Sequence, residues 1–328
     1  MEELQQPKKV FSRLGWCYIA GTATVYVLQI VVGYFVGVYK PEWTYNMSIS
    51  LILSSLVTYG CGMPLIVLLA QGMERQTIER HKMKWWQFLV ALIMCYSLMY
   101  VSNIVGTIIT TVIGVFKGSA VDNNLVSYVT GSSMLVNFVL MVVVAPIVEE
   151  YVFRKVIVDR TVQYGQGIAI VTSGLMFGLF HGNLNQFAYA VGLGAFFAFI
   201  YIKTGNLKIT IGMHAIINFM GSIVAGMLLK MLDYDALAAM DPEDMGAIQN
   251  LVMENLGGWM LFGLYAIFLF FVIIVGIILF IVFFKRFKVE PGTVQIPKGK
   301  AFEVLILNPG MLTFCIIWLI LIVLQLFM

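Results

Sequence analysis

The sequence predicts an all-α protein, a polytopic transmembrane helical bundle with eight to nine spanning helices. Three observations carry that prediction. Of 328 residues, 60% are hydrophobic and only 11% are charged, where a soluble domain carries roughly 25% charge; the mean hydropathy is +0.92. Apolar runs of about 20 residues, the length that crosses a bilayer as a helix, recur along the whole chain. Lysine and arginine gather in alternate connections between those runs, as cytoplasmic loops of membrane proteins do.

Taken in order, the first run, roughly 16–38, follows Lys8, Lys9 and Arg13. It is too long for a signal-peptide core and lacks a small-residue cleavage site, so it is expected to stay as an anchor. The second (47–70) and third (87–113) are joined by a loop with Arg75, Arg80, Lys82 and Lys84. The fourth (132–158) runs into Arg154, Lys155 and Arg160. The fifth (167–182) and sixth (186–203) are short enough to form a tight hairpin, so eight spans compete with nine. Lys203 and Lys208 flank the turn into the seventh (209–231). The loop 232–257 is acidic, with Asp233, Asp235, Asp241, Glu243, Asp244 and Glu254. After the eighth (259–284) come Lys285, Arg286, Lys288, Lys298 and Lys300, and then the ninth (304–327). The alternation of charge fits nine spans, with the N-terminus cytoplasmic and the C-terminus outside.

Residues 1–328 therefore read as a single integral membrane domain whose partner is the lipid bilayer. The net charge of +3 follows from the loop asymmetry and gives no hint of nucleic acid. Cys17, Cys61, Cys95 and Cys315 are widely separated and lie in or beside apolar runs, with neither metal-type spacing nor a disulfide framework. They read as small apolar side chains.

Function is then sought where charge intrudes on the apolar background, since a buried carboxylate costs about 2.5–3.5 kcal/mol at bilayer depth. The stretch "VVVAPIVEEYVFRK", 142–155, sets Glu149, Glu150 and Arg154 at the end of an apolar run. Glu150 and Arg154 are four apart and face each other on a helix; Glu149 lies about 100° round and is not claimed by that pair. The alternative is that all three snorkel at a cytoplasmic helix end. Pro146 frees a backbone carbonyl and can kink the helix, which suits a cavity. A second cluster, "FGLFHG", puts Phe177 and His181 four apart on one face, and a third, "TGNLKITIGMHAIINF", does the same with His214 and Asn218. Each has a plain packing reading, and an intramembrane asparagine often serves only as interhelical glue.

Together the clusters are the parts of a water-activating site on three neighbouring helices. A carboxylate takes a proton from water, a histidine orients that water or shuttles the proton, and a second histidine with an amide donates to a developing oxyanion. No serine or cysteine stands in the pattern as a nucleophile, and no cofactor is implied.

The pieces "EEYVFR", "FGLFH" and "HAIIN", with the lead-in "KTGNL", resemble the EExxxR, FxxxH and HxxxN motifs of the CAAX-protease and bacteriocin-processing (Abi) family of intramembrane glutamic endopeptidases. The resemblance covers residues about 130 to 225. It implies a peptidase in which Glu149 is the general base on water, His181 helps to hold that water, and His214 and Asn218 form the oxyanion hole. Glu150, Arg154 and Phe177 would be supporting residues. The implied partner is a membrane-associated peptide or protein substrate, lipidated or not. Two other readings of the same residues stay open. One is a zinc metalloprotease with Glu149, His181 and His214 as ligands, although the chain has no HExxH. The other is a non-catalytic immunity scaffold or transporter.

Overall fold

A computed structural model describes residues 2–119, 121, 124–241 and 243–327. Among the described residues nine apolar helices make up the bundle: α1 (Leu4–Tyr39), α2 (Met47–Ala70), α3 (Trp85–Lys117), α4 (Met134–Tyr164), α5 (Gln166–Phe180), α6 (Leu184–Thr204), α7 (Leu207–Met231), α8 (Leu256–Arg286) and α9 (Pro309–Phe327). All but α5 are long and apolar enough to cross a membrane. At 15 residues, α5 rises only about 22 Å, short of the roughly 30 Å hydrocarbon core. Of the two segments expected to be short, only the fifth is; α6 has 21 residues. The chain is a multi-pass membrane protein, and side chains such as Ile267, Phe270, Phe271 and Ile281 of α8 stand exposed, as a lipid-facing helix requires.

Helix ends are set by local chemistry. The side chain of Ser133 caps α4 by accepting from the Val136 amide, and those of Asn183 and Asn206 cap α6 and α7. "KTGNL" is a reversal signal: Gly205 closes α6 in the left-handed region at φ +56°, and Asn206 starts α7 one residue later. Gly205 also lies against the Glu79 carbonyl, where a Cβ would collide, so neither its conformation nor its space admits a side chain.

The basic connections share one face of the bundle. The Gln76 amide donates to Asp159 O, the His81 amide to Thr204 O and the Gln166 amide to Glu290 O, while Lys203 bonds Gln166 Oε1 and Lys8 pairs with Glu303 at 2.7 Å. The connections that precede α2 and α4 and follow α7 meet at the opposite face, where the Ser133 amide donates to Ser48 Oγ and Lys230 to Ser132 O. The basic connections therefore fall on one side of the bundle.

Inside, α6 packs between α5 and α3, α8 covers α3, and α1 lies against α2 and α9. The main apolar core includes Phe11, Tyr18, Ile66, Phe153, Phe177 and Phe314. Helix α4 is held among α1, α2, α5 and α7. The Tyr18 hydroxyl donates to Val152 O at 2.7 Å. Arg160 donates from Nε and Nη2 to Ala70 O at 3.1 and 2.8 Å, a cation on the carbonyl end of α2. Cys17, Cys95 and Cys315 are buried free thiols, in keeping with their apolar reading, whereas Cys61 is exposed on α2.

Candidate active site

The site is built on interrupted helices. In α4 the α-helical turn Ala145–Glu150 sits between two π-helical segments, Phe138–Val144 and Tyr151–Val156. In α7 a π segment, Phe219–Val224, begins directly after Asn218, and α2 carries one at Thr58–Gly62. A π turn inserts a residue and re-aims the side chains on either side of it. Prolines account for two of these segments. The Ala145 amide reaches back five residues to Leu140 O; Pro146, next in line, has no N–H to give to Met141 O. Likewise Met63 bonds Thr58 O, and Pro64 follows it.

Carbonyls loosened in this way need other donors, because lipid offers none. Three side chains supply them on α4: Asn218 Nδ2 donates to Met141 O at 2.8 Å, Tyr18 to Val152 O, and Ser173 Oγ to Phe153 O at 2.7 Å. The cavity-suited kink expected at Pro146 is therefore a π segment whose freed carbonyl holds Asn218.

Glu150 and Arg154 form the expected pair. Arg154 Nη2 donates to Glu150 Oε1 at 3.0 Å and Nε to Oε2 at 3.1 Å. Both side chains are 0% exposed, so they do not snorkel. The guanidinium also donates to Ser173 Oγ at 3.3 Å and lies 4.5 Å from the Phe177 ring centre and 5.6 Å from that of Phe197. Glu150 has a further partner that helix geometry alone could not reveal: His214 Nδ1 lies 3.0 Å from its Oε1. An ionised carboxylate only accepts, so the imidazole donates from Nδ1, and its Nε2 is turned the other way.

That Nε2 is 3.8 Å from Glu149 Oε2, too far for a hydrogen bond and close enough for both atoms to face one small molecule. Glu149 takes no part in the Arg154 pair and retains 13% side-chain exposure. Its Oε1 accepts from the Tyr59 hydroxyl at 2.7 Å. His181 caps the end of α5 and donates from Nδ1 to Phe177 O at 2.8 Å, which leaves Nε2 for another partner. Phe177 gathers the cluster: its ring centre is 4.7 Å from that of His181 and 5.9 Å from that of His214, while Phe197 stacks on His214 at 5.7 Å.

Glu149, Glu150, Arg154, Phe177, His181 and His214 are thus brought together from α4, α5 and α7. Asn218 stands one turn beyond His214 with one amide hydrogen committed to α4, the interhelical bond its plain reading anticipated. Among the described residues no three His, Cys, Asp or Glu side chains gather with metal-ligand spacing, so the arrangement does not fit the zinc reading. Tyr59 was not foreseen. The available signal was "TYGCGMP", a polar, glycine-rich and proline-terminated stretch inside the second apolar run.

Fold and cluster define a class: a polytopic α-helical membrane protein with a carboxylate–histidine centre enclosed by its helices. Comparison narrows the class. Residues 131–220 match the family described as type II CAAX prenyl endopeptidase Rce1-like, and the likeness read from the three motifs holds over that segment, which contains Glu149, His181, His214 and Asn218. The membrane-embedded CAAX protease MroQ of Staphylococcus aureus (strain USA300) is 27% identical over 166 residues, covering 48% of this chain and 63% of MroQ. CAAX prenyl protease 2 of Homo sapiens is 33% identical over 100 residues, covering 24% of this chain and 30% of that protein. The chain spans less than two thirds of the length of both relatives. No solved structure matches it.

Proposed function

We propose that the protein is an intramembrane endopeptidase that hydrolyses a peptide bond of a membrane-associated or lipidated substrate with water activated by Glu149. The observation that carries this reading is the division of labour between adjacent glutamates. Glu150 is committed to Arg154 and His214, whereas Glu149 points an oxygen towards His214 Nε2 without bonding it. A carboxylate held free of its neighbouring cation is what a general base requires.

In this mechanism a water held by Glu149 and Nε2 of His181 gives its proton to Glu149 and attacks the scissile carbonyl carbon. The carbonyl oxygen gains the negative charge. His214 turns Nε2 towards that oxyanion as a donor while Nδ1 stays on Glu150. Asn218 adds a donation from the amide hydrogen that Met141 O does not use. The oxyanion then re-forms the carbonyl as the C–N bond breaks, and Glu149 returns the proton to the leaving amine. The apolar surroundings of the site suit a substrate presented by the bilayer. The relatives' printed names, CAAX protease and CAAX prenyl protease, support a lipidated protein as the substrate class. On the same reading the basic face is cytoplasmic and the C-terminus lies outside.

The test is purified protein in detergent incubated with quenched peptides, prenylated and unprenylated, wild type against Glu149→Ala. Cleavage that vanishes in the variant supports the reading. Cleavage that survives in it ends the reading, and cleavage abolished by chelation and restored by zinc would replace it with the metalloprotease. Loss of transport or immunity in Glu149→Gln without any proteolysis by the wild type would favour the non-catalytic alternative.

A further inference from the structure

Helix α2 lies outside the matched segment 131–220, yet it supplies the hydrogen bond that Glu149 accepts at 2.7 Å, from the hydroxyl of Tyr59. We propose that Tyr59 is a positioning residue for the Glu149 carboxylate, so that the centre is completed from α2 and is not contained in the family-like segment alone. The inference rests on the reading of Glu149 as the base.

The geometry gives the phenol a definite task. A glutamate side chain has three rotatable bonds, and its two oxygens are equivalent until something distinguishes them. Tyr59 takes Oε1, which leaves Oε2 as the oxygen nearest His214 Nε2, at 3.8 Å. A donor to the ionised carboxylate also offsets part of the cost of holding it away from water. The plain alternative is that Tyr59 merely satisfies its own hydroxyl within an apolar helix. Three features of α2 speak for placement instead.

Tyr59 lies within the π segment Thr58–Gly62, which Pro64 follows, so its direction is set by a local interruption of the helix. Gly62 lets α1 approach: a Cβ there would collide with Val25 Cγ2 and come within 3.0 Å of Gly21 O. At the far end of α2, Arg160 of α4 grips Ala70 O through two bonds. The helix that carries the phenol is therefore fixed both to α1 and to the helix that carries the glutamate. Positioning of this kind matters because small displacements of a reacting group cost large factors in rate.

The experiment compares Tyr59→Phe, Glu149→Gln and the double variant, each purified in detergent, with the peptide of the quenched panel that the wild type cleaves. Tyr59→Phe keeps the ring and removes only the donor. It is expected to lower kcat by about 10- to 100-fold, the range for losing one hydrogen bond to a charged group, with KM unchanged and Tm lowered because the carboxylate loses a donor. Added to Glu149→Gln it should cause no further loss, because the group it positions is gone. Wild-type kcat in Tyr59→Phe, or an equal fold-loss in both backgrounds, overturns the inference while Glu149→Gln keeps only its residual turnover, about 10²–10⁴ below wild type. An active Glu149→Gln overturns the underlying reading as well. A second measurement needs no substrate: fluorotyrosine placed at Tyr59 should shift its ¹⁹F resonance when Glu149 becomes Gln, and an unmoved resonance overturns the contact.

Discussion

Arg154→Met is the perturbation whose cost the structure defines most sharply. Methionine keeps much of the length and apolar volume of the arginine stem but removes the guanidinium from Glu150, Ser173 Oγ and the faces of Phe177 and Phe197. Because both partners of the ion pair are 0% exposed, water cannot enter to solvate the stranded carboxylate without rearrangement. Breaking a pair so buried costs about 3–5 kcal/mol, or roughly two to three and a half powers of ten in the folded-to-unfolded ratio at about 1.4 kcal/mol per tenfold. Glu150→Gln should cost a similar amount, since it leaves the arginine uncompensated. The double variant Glu150→Gln/Arg154→Met removes both charges and should recover much of the loss, because replacing a whole buried pair is often near neutral. Denaturant unfolding in mixed micelles, followed by tryptophan fluorescence for the four proteins, gives the cycle directly. Activity per folded molecule should not recover in the double variant, because His214 Nδ1 no longer faces a carboxylate. Single variants within about 1 kcal/mol of wild type, the value of a solvated surface pair, would refute the argument, as would a double variant no more stable than the worse single.

Three further outcomes follow from the same geometry. Glu149→Gln, which keeps size and shape but cannot take a proton, should lower kcat by about 10²–10⁴ with folded yield unchanged; turnover of the peptide panel beside yield in detergent checks it. Asn218→Leu strands Met141 O and should cost about 1–3 kcal/mol in addition to its loss of turnover, whereas Asn218→Gln should retain more stability; paired unfolding and activity curves decide. At the basic face, Lys300 and Lys8 hold Glu303 down at about 2 through hydrogen bonds. A carboxyl depressed in the folded state adds stability that is fully present above its unfolded value, about 4.3, and is lost as pH falls through the folded one. The stability difference between wild type and Glu303→Gln should thus be constant above about pH 5 and vanish towards pH 2 in thermal scans.

The sequence by itself determined the class of fold, since each of its nine apolar runs falls on one of the long helices among the described residues. It also determined the pairing of Glu150 with Arg154, a consequence of four-residue spacing on one helix, and the reversal at "KTGNL", a consequence of Gly205 and Asn206 as adjacent caps. The three motifs each pair neighbours on a single turn, which is why the residues proposed for the centre stand out in the sequence. What periodicity could not decide was contact between helices. A straight-helix rise puts His181 about 22 Å from the start of α5 and His214 only about 10 Å into α7, and nothing in either spacing says that they meet around Phe177. That Glu150 serves His214 as well as Arg154, that Pro146 hands Met141 O to Asn218, and that Tyr59 reaches Glu149 from α2 were decided by tertiary structure alone. The physical reason is the bilayer. Without water, every freed carbonyl and every buried charge must find a partner on another helix, and the identity of that partner depends on how the helices pack.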